Sequence, residues 1–154
     1  MNIRLWLALA GALTVVAAGS AAYAQFSANE AVGVRVNGYR ETGAAFKTLN
    51  DQLRSDAPIK VMLRASARRI SQTSHDQYAW FPLGSGPETG EKTKAKPLIW
   101  TDAASFKVAQ DSFQQQAGRM SQAVDAGDVS QMKTAARDLG TACAACHNKF
   151  RERD

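Results

Sequence analysis

The chain's only two cysteines stand in the run Cys143-Ala144-Ala145-Cys146-His147, and no other stretch is so suited to chemistry. A Cys-x-x-Cys-His run is the attachment pattern of a c-type haem. On a helix, two thiols three residues apart lie on adjoining turns of one face, where each can form a thioether to one haem vinyl. The histidine that follows then stands beside the porphyrin plane with an imidazole nitrogen available to iron. Cys143 and Cys146 are thus expected to hold one haem c covalently, with His147 as its axial ligand.

Three other readings fit parts of the pattern. A Cys-x-x-Cys pair can be a disulfide or a thioredoxin-like redox centre, but that motif opens a helix after a strand, and here it lies near the end of a chain without strand signals. A zinc site would need a fourth ligand beside the two cysteines and His147, which leaves only His75 or a carboxylate. The third is a satisfied core histidine beside two incidental cysteines.

Export favours haem. Met-Asn-Ile-Arg is followed by an apolar stretch from Leu5 to Ala18 and then by Gly19-Ser20-Ala21-Ala22-Tyr23-Ala24. This has the form of a secretory signal peptide, residues 1–24, cleaved after Ala24 and leaving a domain over residues 25–154 in the periplasm. The apolar run is shorter than the roughly 20 residues of a membrane span, so no span is expected in the mature protein; an uncleaved anchor is the alternative. Without Arg4 the mature chain holds 18 basic and 14 acidic side chains, about +4 in all. The cations are scattered and few aromatics are interleaved with them, so a nucleic-acid partner is not indicated.

The elements that must position the motif read as helices throughout. Val32, Arg35, Tyr39, Thr42, Phe46, Leu49 and Leu53 share one face of a helix over about residues 29–55. A second helix is expected from Pro58, with proline at its first position, to about Thr73 through Ile59, Leu63, Ser66 and Ile70. Residues 81–97, rich in glycine, proline and alternating lysines, read as a long crossover loop rather than helix or buried strand. A third helix follows Thr101 or Asp102, presents Phe106, Ala109, Phe113, Ala117, Met120 and Val124, and stops at Gly127. Asp128 caps a fourth, with Gln131 completing a capping box, and Met132, Ala136, Leu139, Cys143, Cys146 and Phe150 continue its apolar seam. The fold class is therefore all-α, an antiparallel four-helix bundle.

Arg35 stands out on its apolar seam. A guanidinium there is costly to bury unless it meets an anion, such as a haem propionate; otherwise it snorkels to the bundle end or pairs with a carboxylate.

With these features in place, the chain resembles the class II c-type cytochromes, the cytochrome c′ family, over nearly all of its mature length. Arg35-Val36-Asn37-Gly38-Tyr39-Arg40-Glu41-Thr42-Gly43 is similar to that family's first-helix pattern. Phe81-Pro82-Leu83-Gly84-Ser85-Gly86-Pro87 and Ile99-Trp100-Thr101-Asp102 resemble its crossover loop and third-helix start, and His147-Asn148-Lys149-Phe150-Arg151 its last turn. The resemblance implies that Arg35 lies near a propionate, that Tyr39 stands over the vacant haem face, that Arg151 sits one turn beyond the proximal histidine, and that the protein forms a homodimer. Low-spin members carry methionine at the distal position; this chain has Tyr39.

A neutral phenol is a poor ligand for ferrous iron, so five-coordinate iron open to nitric oxide and carbon monoxide is expected. Met62, Met120 and Met132 fall on helical seams as core filler, and His75 near a loop reads as exposed. A gas-binding protein and a one-electron carrier with a redox protein partner are the two functional classes that follow. A peroxidase-like enzyme lacks an evident distal acid–base pair, since His75 is the only histidine besides His147.

Overall fold

The computed structural model describes residues 27–153; the expected signal peptide and its cleavage point lie outside them. In chain order the helices are α1 (Ala28–Arg54), α2 (Lys60–Asp76), a single turn α3 (Leu98–Thr101), α4 (Ala103–Ala126) and α5 (Val129–Phe150). The four long ones form the bundle. α1 packs on α2, α2 on α4 and α4 on α5, while α1 and α5 meet more sparsely. Among the described residues no helix is long and apolar enough to cross a membrane.

Local chemistry sets most of the boundaries. α1 opens with a capping box in which the Ser27 hydroxyl accepts from Glu30 N and the Glu30 carboxylate accepts from Ser27 N at 2.9 Å, a device worth about 1 kcal/mol. α4 starts where the Asp102 carboxylate accepts from Ser105 N at 3.3 Å. It ends at Gly127, whose φ of 76° suits glycine and turns its N–H back to the carbonyls of Ala123 and Val124. Asp128 caps α5 by accepting from Ser130 N at 2.8 Å and Gln131 N at 3.1 Å. The Gln131 amide donates to the Asp128 carboxylate instead of accepting from Asp128 N, so the expected capping box is a one-sided cap with a side-chain pair beside it.

α2 differs from its expected start. Pro58 lies outside it; Ile59 is the cap residue, held extended at φ −84°, ψ 106°, with its N–H taken by the Gln52 side chain at 2.8 Å. That bond leaves the Ile59 side chain 51% exposed rather than on the seam, and Met62, expected as core filler, is likewise exposed. At its other end α2 runs past Thr73 to Asp76 and tightens into a 3-10 turn over Gln77–Ala79.

The interior divides into two apolar clusters. The larger holds Leu49, Leu63, Ile70, Phe113, Met120 and Leu139 among others, each worth roughly 1.5–3 kcal/mol when fully buried. The smaller joins Ile99, Phe106 and Phe150, with Phe81, Ala95 and Trp100 packed on it. The crossover loop supplies Phe81 and Ala95, α3 supplies Trp100, and the loop is fastened to the end of α5. Lys96 N donates to Phe150 O at 3.0 Å, Glu152 N donates to Lys94 O at 2.8 Å, and Ala95 faces Arg151 in an antiparallel bridge. Besides this latch, the loop expected to lack regular structure contains a 3-10 turn at Pro87–Thr89.

Candidate haem site

Cys143 and Cys146 sit one turn apart on the last third of α5, both half-buried and both unpaired. They occupy the junction of the two clusters: Cys143 packs against the larger and Cys146 against the smaller. Burial pushes both thiols up, Cys146 to about 11, with Cys143 adding to its rise. Redox-active Cys-x-x-Cys pairs have the opposite property, a thiol lowered toward thiolate, so this environment speaks against a thioredoxin-like centre. No group of three or more His, Cys, Asp or Glu side chains suited to a metal ion occurs among the described residues, which removes the support for zinc.

Across from the cysteines stands α1. Its close approach to α5 is near Phe46, whose ring would lie 3.4 Å from a Cβ on Gly140. Toward the N-terminal end of α1, Tyr39 is within electrostatic reach of Cys146 and Cys143. Its hydroxyl donates to Gln77 Oε1 at 3.1 Å. Its ring meets the edge of Trp80 at 5.2 Å between centroids, with Phe81 at 6.3 Å. Burial pushes the phenol far above its usual range, the two cysteines add to the rise, and Arg35 opposes it.

Arg35, one turn earlier, is 3% exposed. Its Nη1 donates to Ser85 Oγ at 3.0 Å and more weakly to Trp80 O at 3.4 Å; its Nη2 donates to Ser85 O at 2.6 Å and to Thr93 Oγ1 at 3.0 Å. The guanidinium also lies over the rings of Phe81 and Trp100, at 5.1 and 5.7 Å. It therefore neither snorkels nor forms a carboxylate pair: it ties the crossover loop to α1 through neutral oxygens, and burial lowers its pKa. A buried cation bonded only to neutral oxygens still favours an anion nearby.

His147 is exposed on the outer side of the same turn of α5, and its pKa is lowered, first by burial of part of its ring and then by the charge of Arg151. Arg151 N donates to His147 O at 3.1 Å, which puts it one turn beyond the histidine. The structure thus brings Cys143, Cys146, Tyr39 and Arg35 to one interior region, with His147 and Arg151 at its outer edge. The expected bystanders lie elsewhere: Met120 and Met132 fill the larger cluster, and exposed His75 contacts Gln114 at 2.8 Å.

The donor set fits a covalently held haem. Two neutral thiols meet where the apolar interior is divided, the neighbouring side chains are mostly aromatic, and a buried cation hydrogen-bonded to neutral oxygens is close by. Sequence reasoning missed Gln77 and Trp80 as neighbours of Tyr39, and Gln110 as the partner of Gln77. Polar side chains at a helix end carry no periodic signal, although Gly38-Tyr39 and Tyr78-Ala79-Trp80 hint at a close ring contact.

Comparison with known proteins agrees. The family described as Cytochrome C' matches residues 30–151. Cytochrome c' of Pararhodospirillum photometricum is 31% identical over 121 residues, 79% of this chain and 95% of its own. Cytochrome c' of Alcaligenes xylosoxydans xylosoxydans is 43% identical over 74 residues, 48% of this chain; the match spans 56% of that relative's length, a little over half. A solved nitric oxide complex of a mutant cytochrome c prime from Alcaligenes xylosoxidans superposes with a TM-score of 0.74 at 30% identity, covering 83% of this chain and 98% of that one. The family match over most of the chain, the four-helix fold and the paired cysteines of α5 together mean that this protein belongs to the cytochrome c′ family, with a covalently attached haem c.

Proposed function

We propose that this chain is a periplasmic monohaem cytochrome whose five-coordinate iron binds nitric oxide or carbon monoxide. Cys143 and Cys146 carry the thioethers, His147 is the axial ligand, Arg35 faces a propionate, Tyr39 covers the distal side, and Arg151 adds a positive charge beside His147. Bound haem supplies an iron that changes by one electron and can take a small molecule at an axial position.

The observation that carries this reading is the state of Tyr39: a half-buried, neutral phenol whose hydroxyl is already committed to Gln77. Such a side chain crowds a haem face without bonding to it. The nitric oxide complex of the Alcaligenes relative supports the choice of ligand. Export of the chain is supported by the form of residues 1–24. A homodimer belongs to the same reading, with the exposed Ile59 and Val61 at the start of α2 as apolar surface available for it.

The alternative is a one-electron carrier with a redox protein partner, which would be favoured by six-coordinate iron. Optical spectra of periplasmically matured protein, oxidised and reduced, before and after carbon monoxide or nitric oxide, separate the two. A broad high-spin spectrum that shifts with the gas is expected; a sharp low-spin spectrum indifferent to it would make the chain an electron carrier.

A further inference from the structure

Gln77 has no part in the roles above, yet it is 2% exposed and fully engaged. Its Nε2 donates to Ser74 O and to Gln110 O, each at 3.1 Å, while its Oε1 accepts from the Tyr39 hydroxyl at 3.1 Å. Gln110, on α4 and 7% exposed, closes the clasp by donating its Nε2 to Gln77 O at 3.3 Å. The orientation of the Gln77 amide is dictated by these partners. Two carbonyl oxygens on one side require the NH2 group there, because an amide oxygen would face two acceptors with nothing to share. The amide oxygen is therefore the end presented to Tyr39. A carbonyl oxygen only accepts, so the phenol must donate and must keep its proton on Oη.

We propose that Gln77 is a positioning residue that holds Tyr39 as a neutral, donating phenol and so withholds it from the iron as a ligand. This rests on the haem site proposed above. Tyrosine serves as an axial haem ligand in catalase, so a phenol beside a vacant iron face is a potential competitor for it. Loss of the Tyr39 proton would set an anion against a carbonyl oxygen in buried surroundings, and a hydrogen bond made to the neutral form disfavours ionisation. The titratable groups acting on Tyr39 are Arg35 from α1 and Cys143 and Cys146 from α5; Trp80 and Phe81 are uncharged. The cysteines oppose ionisation only through the charge of their thiolates, which thioethers cannot form, whereas Arg35 continues to favour the phenolate. Once haem is attached, burial and Gln77 are left to keep the proton in place.

The test is a titration of the ferric holoprotein from neutral pH through the ordinary phenol range, about pH 10, and on to the alkaline limit of the fold, followed by absorption. Wild type, Gln77→Met, Tyr39→Phe and the double variant are compared. Gln77→Met keeps the length of the side chain and removes the acceptor. Its transition to a phenolate-to-iron charge-transfer spectrum is expected about one pH unit or more below that of wild type, and is expected to vanish in the double variant. An unmoved transition, or one that survives Tyr39→Phe, overturns the proposal. A second readout needs no change at Gln77: in Tyr78→Phe protein, tyrosine-selective ultraviolet resonance Raman reports Tyr39 alone in the mature chain. A donor signature is expected, and an acceptor signature overturns the proposal. A low-spin wild-type spectrum at neutral pH would defeat the open-iron reading instead, while the Raman signature would still report whether Gln77 holds the proton.

Discussion

Gly38 of α1 lies directly beneath the indole of Trp80, so close that a Cβ on Gly38 would come 2.2 Å from Cη2 of the ring. The contact lets the indole lie against the helix and meet the Tyr39 ring edge-on. Alanine at position 38 gains up to about 1 kcal/mol of helix propensity but forces apart two buried groups, at a cost of about 1–3 kcal/mol. Overpacking should win. Gly38→Ala is expected to lower the melting temperature, whereas Gly118→Ala, where a Cβ meets nothing within 4 Å, should leave it unchanged or raise it. Equal shifts for the two would mean that the ring contact carries no energy.

Tyr39→Ala removes the ring that the proposed function places over the iron. Carbon monoxide association with the ferrous protein is expected to speed up by about tenfold, equivalent to ~1.4 kcal/mol of barrier. Flash photolysis measures it. Unchanged rates would mean that Tyr39 is not the gate.

His147→Ala should leave the haem attached, because the thioethers depend on Cys143 and Cys146 alone, while the iron loses its protein ligand. A changed spectrum and reduction potential are expected, with partial recovery on adding imidazole, since position 147 is exposed. A variant with the wild-type spectrum would remove His147 from the site.

Asp102 joins two helices at one end of the bundle: its carboxylate caps α4 through Ser105 N and accepts from Lys149 Nζ of α5 at 2.9 Å. Its pKa is lowered, chiefly by the Lys149 bond and then by Ser105. A depressed carboxylate stabilises the fold above its unfolded pKa, near 3.9, and the contribution fades as pH falls through the lower folded value. The melting-temperature gap between wild type and Asp102→Asn should therefore be full at neutral pH and shrink below about pH 4. A gap independent of pH would show that the charge is not involved.

The sequence was most legible where one rule acted alone. The Cys143 to His147 run, the Asp102 and Asp128 caps and the Gly127 stop are local signals, and the apolar seams of α1, α4 and α5 follow from a simple period. Legibility failed where a distant partner decided the outcome. Gln52 captures Ile59 N and delays α2; Ser85 and Thr93 of the crossover loop, far along the chain, occupy Arg35; and the α3 turn and the latch at residues 94–96 depend on the end of α5. The Gln77 and Gln110 clasp was invisible for the same reason, because two glutamines 33 residues apart have no pattern until α2 and α4 are side by side.

The latch between residues 94–96 and 150–152 also has an order in time. The strap that carries Phe81, Ala95 and Trp100 over Cys146 is fastened by backbone lying downstream of both cysteines. A chain emerging from its N-terminus presents Cys146 before the segment that secures the strap over it. Until the latch forms, Cys146 lacks the share of its cover that the strap supplies.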